Sequence, residues 1–233
     1  REKQSRRDAI KTTAAASLGV ASGAFAVPRG KRNLNISGKD FIREENSKKG
    51  TRDWRLSNTK TVPGKINKIL DNGRSKSIEG YCNANSLRAG EKLRIMVSAN
   101  PASAFKLDIF RTGYYGGTGA RLMKSFDSLK AGTQPDPPIG ENYIRECQWE
   151  PTVELEIPKT WPSGVYLGKM TAERSGIQSY VIFIVRDDRP CDFLFQCSDL
   201  TWSAYNRWPM DYSIYTEHEN WTSIGVPSGT VSF

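Results

Sequence analysis

Histidine and closely spaced cysteine pairs are scarce in this sequence. It has one histidine, His218, and its four cysteines form no C-x-x-C pair. Structural zinc sites need four cysteine or histidine ligands, usually at such short spacings. The sequence therefore argues against a zinc site formed by this chain alone. His218 lies in the polar stretch 215–221 and is predicted to be at the surface.

Long hydrophobic runs and a phosphate-binding glycine motif are also missing. The apolar run 12–24 is too short and too poor in large side chains to span a bilayer. The glycine cluster within residues 111–123 lacks the Lys-Ser/Thr pair of a P-loop. We therefore expect neither a stable membrane span nor a phosphate cradle of this type.

Positive charge is concentrated in the N-terminal third. Residues 27–76 carry 14 basic and 5 acidic side chains, whereas residues 77–233 carry 15 and 18. A nucleic-acid partner would need a basic, aromatic face on the folded part, so none is expected. Residues 27–76 have few large apolar side chains, which predicts an extended basic arm, anchored along the body by Trp54 and Leu56. A solvated tether is the favoured account of its charge, and contact with an anionic surface is the alternative.

The first 26 residues have the order of an export signal. Arg6 and Arg7 precede the weakly apolar run, and the A-x-A sequence at residues 24–26 follows it. The arginine pair resembles a twin-arginine signal. We expect cleavage near Val27 and a periplasmic or extracellular protein. Because the first residue is Arg and not Met, we also expect the start to be incomplete.

Apolar residues alternate with polar ones from about residue 77 onward. The segments 93–97, 105–109 and 153–157 have this period of two, and turn residues separate them. The pattern predicts a mainly β fold, an antiparallel, immunoglobulin-like β-sandwich over residues 77–187. Segment 179–186 is apolar on both faces and is predicted to be a central strand.

One glycine-rich loop interrupts the predicted sandwich. Glycines surround Tyr114 and Tyr115, and glycine permits positive φ angles. The loop is interpreted either as structural or as a surface for a sugar or a neighbouring domain. In the second case, Tyr114, Tyr115 and Trp161 are the candidates for binding a carbohydrate or cell-surface polymer.

Disulfides persist in exported proteins, so cysteine pairs in this chain are candidates for disulfides. Cys82 and Cys147 both fall within the predicted sandwich and are the candidate disulfide. Cys191 and Cys197 lie six residues apart in one predicted strand, a separation of about 20 Å, and cannot bridge.

A second domain is predicted after the polar linker 186–190. Residues 191–198 are apolar on both faces, as in the first buried strand of an α/β sheet. Side chains just beyond such a strand commonly line a site. Because about 40 residues cannot cover an α/β sheet, residues 191–233 are expected to be the incomplete beginning of a larger domain.

Several segments together carry a family resemblance. They include GTRDWRLSN, LRAGEKLRIMVSANPA, LDIFRTGYYGGTGARLM, RECQWEP, WPSGVYLGKMTAERSGIQSYVIFIVRDD and DFLFQCSDLTWSAYNRW, in order between Gly50 and Trp208. The chain resembles the large-subunit (beta-subunit) type of N,N-dimethylformamidase and its relatives. The resemblance implies a sandwich followed by a glutamine-amidotransferase-like α/β domain. That domain would hold one iron through two tyrosines and a glutamate and hydrolyse an amide to formate and an amine.

The resemblance also marks site residues. The family has a Thr-Tyr-x-x-Tyr pattern after the strand, and this chain has Thr201-Trp202-Ser203-Ala204-Tyr205. Tyr205 is thus the tyrosine that can be carried over as an iron ligand, with a packed, hydrogen-bonded ring as the alternative. Asp199, Thr201 and Asn206 are candidates to orient a ligand or water, and Asp199 could instead cap a helix.

Three hypotheses about the function follow. The first is an exported, iron-dependent amide hydrolase that acts on a small amide. Its catalytic domain is expected to be mostly absent from this chain, so the chain alone is expected to be inactive, and that domain is the candidate for contacts with other subunits. The second is a non-catalytic protein that binds a surface polymer through its sandwich, and a purely structural sandwich is a third possibility.

Overall fold

A computed structural model describes residues 37–59, 75–138, 140, 145–191, 193–206, 208–209 and 231–232. Statements about structure concern these residues. The predicted export signal with Arg6 and Arg7, as well as His218, lies outside them. Among the described residues, no helix is long and apolar enough to cross a membrane.

The body of the structure is a β-sandwich of two sheets, as the alternating pattern predicted. Its strands are β1 (Glu79–Cys82), β2 (Ser86–Arg88), β3 (Lys92–Ser98), β4 (Ser103–Thr112), β5 (Ala120–Ala131), β7 (Pro151–Glu156), β8 (Gly164–Ala172) and β9 (Gln178–Arg186). The smaller sheet has the order β1–β3–β7 and is antiparallel. The larger sheet has the order β2–β9–β8–β4–β5 and is antiparallel except where β2 pairs with β9. A short strand, β6 (Arg145–Glu146), pairs in parallel with β10 (Val231–Ser232).

The core lies between the two sheets and uses every second side chain of the strands. It contains the predicted inward sets of β3, β4 and β7, among them Leu93, Leu107 and Leu155. Alternate residues of a strand point to opposite faces, so one apolar face per sheet is buried. Each fully buried aliphatic or aromatic side chain contributes about 1.5–3 kcal/mol. The sandwich is therefore held mainly by this shared apolar layer.

Strand β9 differs in one respect from its prediction. It lies inside the sheet, between β2 and β8, and it buries Val181, Phe183 and Val185 in the core. Ile182, on the other face, is an exposed large hydrophobic residue. Strand β9 thus has a hydrogen-bonded neighbour on each side, but only one of its faces is buried in the core. The other face is exposed at Ile182 because the outer face of this sheet is only partly covered.

The covering element is the arm, and it is not simply extended. Residues Ser37–Ser47 form helix α1, which the sequence analysis did not predict. The helix ends where the Ser47 hydroxyl donates to the Glu44 carbonyl and the Lys48 N–H donates to the Glu45 carbonyl. The helix sequence is mostly polar, so it has no apolar periodicity that would predict a helix.

Residues 51–58 of the arm then lie on the outer face of the larger sheet. The indole N–H of Trp54 donates to the Thr118 carbonyl at 3.0 Å, which confirms Trp54 as an anchor. The Lys169 ammonium donates to the carbonyls of Asp53 and Arg55 at 2.7 and 3.1 Å, and the Tyr180 hydroxyl donates to that of Trp54. Leu56 is half-buried. This part of the arm is docked by side chains of the sheet and is not a solvated tether.

The chain after β9 departs from the prediction of a buried strand. Phe193, Leu194 and Phe195 have no regular secondary structure and are 81–91% exposed. A strand needs a neighbour to satisfy its backbone N–H and C=O groups, and none pairs with this run within the described residues. Helix α2 (Asp199–Tyr205) follows directly.

Candidate functional site

The glycine-rich loop connects β4 to β5 and contains a short 3₁₀ turn at Tyr115–Gly117. Tyr115 has a φ of 39°, and Gly116, Gly117 and Gly119 have φ values of 64°, 84° and 94°. These left-handed conformations cost little for glycine, which explains the glycine cluster. The loop turns the Tyr115 ring into the body and leaves Tyr114 71% exposed.

Beneath this loop lies a buried polar cluster, the Glu45 cluster, formed by Glu45, Lys48, Arg111, Tyr115 and Arg121. The Tyr115 hydroxyl donates to Glu45 Oε1 at 2.9 Å, and Arg121 Nε donates to the same oxygen at 2.6 Å. Lys48 Nζ donates to Glu45 Oε2 at 2.7 Å, and Arg111 Nη1 donates to the Tyr115 hydroxyl at 2.8 Å. Glu45 itself is only 2% exposed.

The electrostatics of the cluster keep the acid ionised. Burial alone would raise the pKa of the Glu45 carboxyl, but the hydrogen bonds from Lys48, Arg121 and Tyr115 together hold it below its ordinary value. Burial raises the pKa of the Tyr115 phenol. Both groups are therefore locked in their ordinary charge states at neutral pH. The arrangement is suited to joining α1 to the loop rather than to transferring protons.

Sequence reasoning missed Glu45 and Arg111, although one signal for Arg111 was present. The inward alternation of β4 continues through Phe105, Leu107 and Ile109 to position 111, which is a charged residue that the structure buries. A charge at an inward position demands a buried partner. The Arg111 side chain also donates to the Ser163 carbonyl through Nε and Nη2 at 3.2 and 2.8 Å.

Two glycines allow the close approach of the arm to this loop. A Cβ on Gly50 would lie 2.5 Å from Tyr115 Cβ and 2.8 Å from the Ala120 carbonyl oxygen. A Cβ on Gly113 would lie 2.5 Å from Asn46 Oδ1. That same Asn46 oxygen accepts a hydrogen bond from the Tyr114 N–H at 2.9 Å. The backbone of Tyr114 is thus fixed while its ring faces solvent.

Trp161 is a core residue and not part of a binding surface, contrary to its assignment from the sequence. It is 9% exposed, and its ring stacks on Tyr166 with 5.0 Å between the centroids and 9° between the planes. Tyr166 stacks in turn on Phe183 at 5.3 Å. Position 161 lies just before β8, where its ring closes the end of the apolar layer. Of the three predicted binding residues, Tyr114 is the one whose side chain is exposed.

The cysteine pair predicted as a disulfide is not bonded, and none of the four cysteines takes part in a disulfide. Cys82 is buried on the core side of β1, whereas its neighbour Tyr81 donates from its hydroxyl to the Cys147 carbonyl at 3.2 Å. Successive strand residues point to opposite faces, so Cys82 points away from Cys147. Burial raises the pKa of the Cys82 thiol to about 12.

The residues assigned by resemblance lie on and around helix α2, which has no buried side chain. Tyr205 is 66% exposed at the end of the helix, and Thr201 is exposed within it. Asp199 Oδ1 accepts from the Leu200 N–H at 3.0 Å, and Asp199 Oδ2 accepts from Asn85 Nδ2 at 3.3 Å. Asn206 Oδ1 accepts from the Trp208 N–H at 3.0 Å. Asp199 and Asn206 therefore shape the two ends of the helix.

Of the iron ligands that the resemblance implies, two tyrosines and a glutamate, the motif after β9 assigns one, Tyr205, to the described residues. In this part of the chain, no three His, Cys, Asp or Glu side chains form a group able to hold a metal. The phenols of Tyr115 and Tyr180 are committed to Glu45 and to the arm. Tyr205 is 66% exposed and keeps its assignment as one oxygen ligand.

Taken together, the described residues form a two-sheet sandwich with a docked N-terminal arm, followed by a helix that carries Tyr205. A family model described as N,N-dimethylformamidase beta subunit-like, C-terminal, matches residues 106–233, more than half of the sequence. The chain belongs to this family, which confirms the resemblance. The match begins inside β4 and so includes most of the larger sheet. No curated protein matches the chain.

Proposed function

We propose that this protein is a hydrolase of amide C–N bonds that acts on a small amide, like N,N-dimethylformamidase. The single observation that carries the proposal is the family match over residues 106–233. The matched region includes most of the larger sheet and helix α2, so it extends beyond the sandwich to the segment with Tyr205. We further propose that the protein is exported, since residues 1–26 have the order of a twin-arginine signal.

Iron is the proposed cofactor, and Tyr205 is the proposed ligand within this chain. A phenolate oxygen is a hard ligand of the kind that suits ferric iron, and a bound Lewis acid would polarise an amide carbonyl. Tyr205 lies at the end of helix α2, and its side chain is 66% exposed. Trp202 stands where the family has a tyrosine, so the second tyrosine ligand must come from another position if iron binds.

The test is the iron content and visible absorption spectrum of the full-length protein and its Tyr205→Phe variant. The matched control is Tyr114→Phe, which removes a hydroxyl of similar exposure from the distant glycine-rich loop. We expect near-stoichiometric iron and a tyrosinate-to-iron band that weakens or shifts in Tyr205→Phe and is unchanged in Tyr114→Phe. Iron unaffected by Tyr205→Phe would remove Tyr205 from the site, and a protein without iron would refute the cofactor proposal.

A second candidate function, binding of a carbohydrate or cell-surface polymer, rests on Tyr114. Its ring is exposed on a loop whose backbone is fixed by Asn46, and such a rigid aromatic is suited to stacking on an apolar sugar face. Affinity electrophoresis in soluble polysaccharides tests this reading with wild type and Tyr114→Ala. Retardation that Tyr114→Ala abolishes would support it, and equal mobility in every polymer would refute it.

A further inference from the structure

Trp208, three residues after the end of helix α2, packs against aromatic and acidic side chains of the sandwich. The indole of Trp208 meets that of Trp149 edge-on, with 5.6 Å between the centroids and 79° between the planes. Its Nε1–H donates to Glu79 Oε2 at 2.8 Å. Trp149 in turn packs against Tyr81 at 5.5 Å. Glu79 and Tyr81 lie two residues apart on β1 and so point to the same side of the strand.

The sandwich side of this contact is itself held firmly. Trp149 is buried, and its indole N–H donates to the Pro135 carbonyl at 2.7 Å. Its backbone N–H donates to the Tyr81 hydroxyl at 3.2 Å. Glu79 is also buried, in a strand paired with β3 along its whole length. Trp208 therefore docks on groups whose positions are set by the core.

Helix α2 needs such an anchor. It has seven residues, none of them buried, and isolated helices shorter than about 12–15 residues are marginal in water. Its first turn contacts the sandwich through Asn85 and Asp199 at 3.3 Å, a long hydrogen bond at an exposed site. The contacts of Trp208, three residues after the helix, are the stronger attachment because they combine aromatic packing on the buried Trp149 with a hydrogen bond to the Glu79 carboxylate.

We propose that Trp208, seated on Trp149 and hydrogen-bonded to Glu79, is the residue through which the sandwich holds helix α2 and thereby positions Tyr205. The role for Tyr205 rests on the proposed function, whereas the anchoring of the helix does not. In this arrangement the sandwich is a structural part of the candidate site, and Trp208 and Glu79 are positioning residues.

Hydrogen exchange of backbone amides tests the anchor. The reporters are the N–H groups of Trp202 and Asn206, which donate to the carbonyls of Ser198 and Ser203. We expect Trp208→Ala to speed their exchange by about tenfold or more, the effect of losing a charge-assisted hydrogen bond at this site. The amides of β3 report on the sandwich and should be unchanged.

Variants of the acceptor separate a specific contact from general damage. Glu79→Ala should speed exchange in α2 as Trp208→Ala does, whereas Glu79→Gln keeps an acceptor oxygen and should restore most of the protection. Glu156→Ala, at an exposed position of β7, is the matched control and should change nothing. Trp208→Phe keeps the ring without the N–H and covers the case in which the alanine variant does not fold.

Protection of α2 that is equal in wild type, Trp208→Ala and Trp208→Phe would overturn the proposal. In the full-length protein, a tyrosinate-to-iron band that shifts in Glu79→Ala and returns in Glu79→Gln would support positioning of Tyr205. A band unchanged while α2 loses protection would overturn that part. A wild type without iron would refute the cofactor proposal and with it the role of Tyr205, and the exchange comparison would still decide the anchor.

Discussion

The Glu45 cluster makes the strongest quantitative prediction. Replacing Glu45 with Gln removes the negative charge that accepts hydrogen bonds from Lys48 and Arg121 but keeps the size of the side chain. The hydrogen bonds from Tyr115 and Arg121 reach a carboxylate that is 2% exposed, and such bonds contribute about 1.5–3 kcal/mol each. Lys48 is half exposed, so its ion pair adds about 0–1 kcal/mol.

From these contributions we expect Glu45→Gln to cost about 1.5–3 kcal/mol, since the amide retains part of the hydrogen bonding, and Glu45→Ala to cost about 3–5 kcal/mol. The cost should appear first as local opening of α1 and of the arm docked after it. The amide of Thr51, which donates to the Ala120 carbonyl at 2.8 Å, reports this opening by hydrogen exchange. An opening free energy lower by 3 kcal/mol corresponds to exchange faster by about a hundredfold.

The matched control is Glu44→Gln, which changes the same side chain on an exposed position of the same helix and should cost less than about 0.5 kcal/mol. The pKa of Glu45 is lowered in the folded state, so its contribution is complete above the ordinary value of 4.5 and declines as the pH falls through the folded pKa. Equal effects of the two substitutions, or protection of Thr51 that does not decrease with acid, would refute the reasoning.

Three further predictions concern the arm, the core and the thiols. Gly50→Ala should destabilise the docked arm by about 1–3 kcal/mol in denaturant titrations. The control Gly132→Ala, where a Cβ meets no atom within 4 Å, should be nearly neutral. Equal costs of the two substitutions would contradict the close approach of Gly50 to Tyr115 and Ala120. Trp161→Ala should lower the free energy of unfolding by about 3–5 kcal/mol, and a loss below about 1 kcal/mol would show that Trp161 is not a core residue. Cys82, with its pKa raised to about 12, should resist alkylation at pH 8 in the native state, while the exposed Cys191 reacts; equal rates would show that β1 opens readily.

The sequence by itself determined the strands and the family. The period of two in β3, β4 and β7 is a local property, because each strand must present one apolar face to a core regardless of its partner. The ordered motifs between Gly50 and Trp208 likewise indicated the family that the match over residues 106–233 establishes. Both inferences depend on residues close together in the chain.

The tertiary structure decided which individual side chains are buried and what they contact. Tyr115 and Glu45 are 70 residues apart in sequence, and Trp208 and Glu79 are 129 apart, so neither pair belongs to a local pattern. Trp161 looked like a surface aromatic until the packing of the sheets placed its ring on Tyr166. The polar arm gained its helix through the buried contacts of Glu45, which supply stability that its own composition lacks. Long-range contacts are set by how sheets and loops pack against one another, and this is why the periodicity predicted the sandwich but not the polar cluster or the Trp208 anchor.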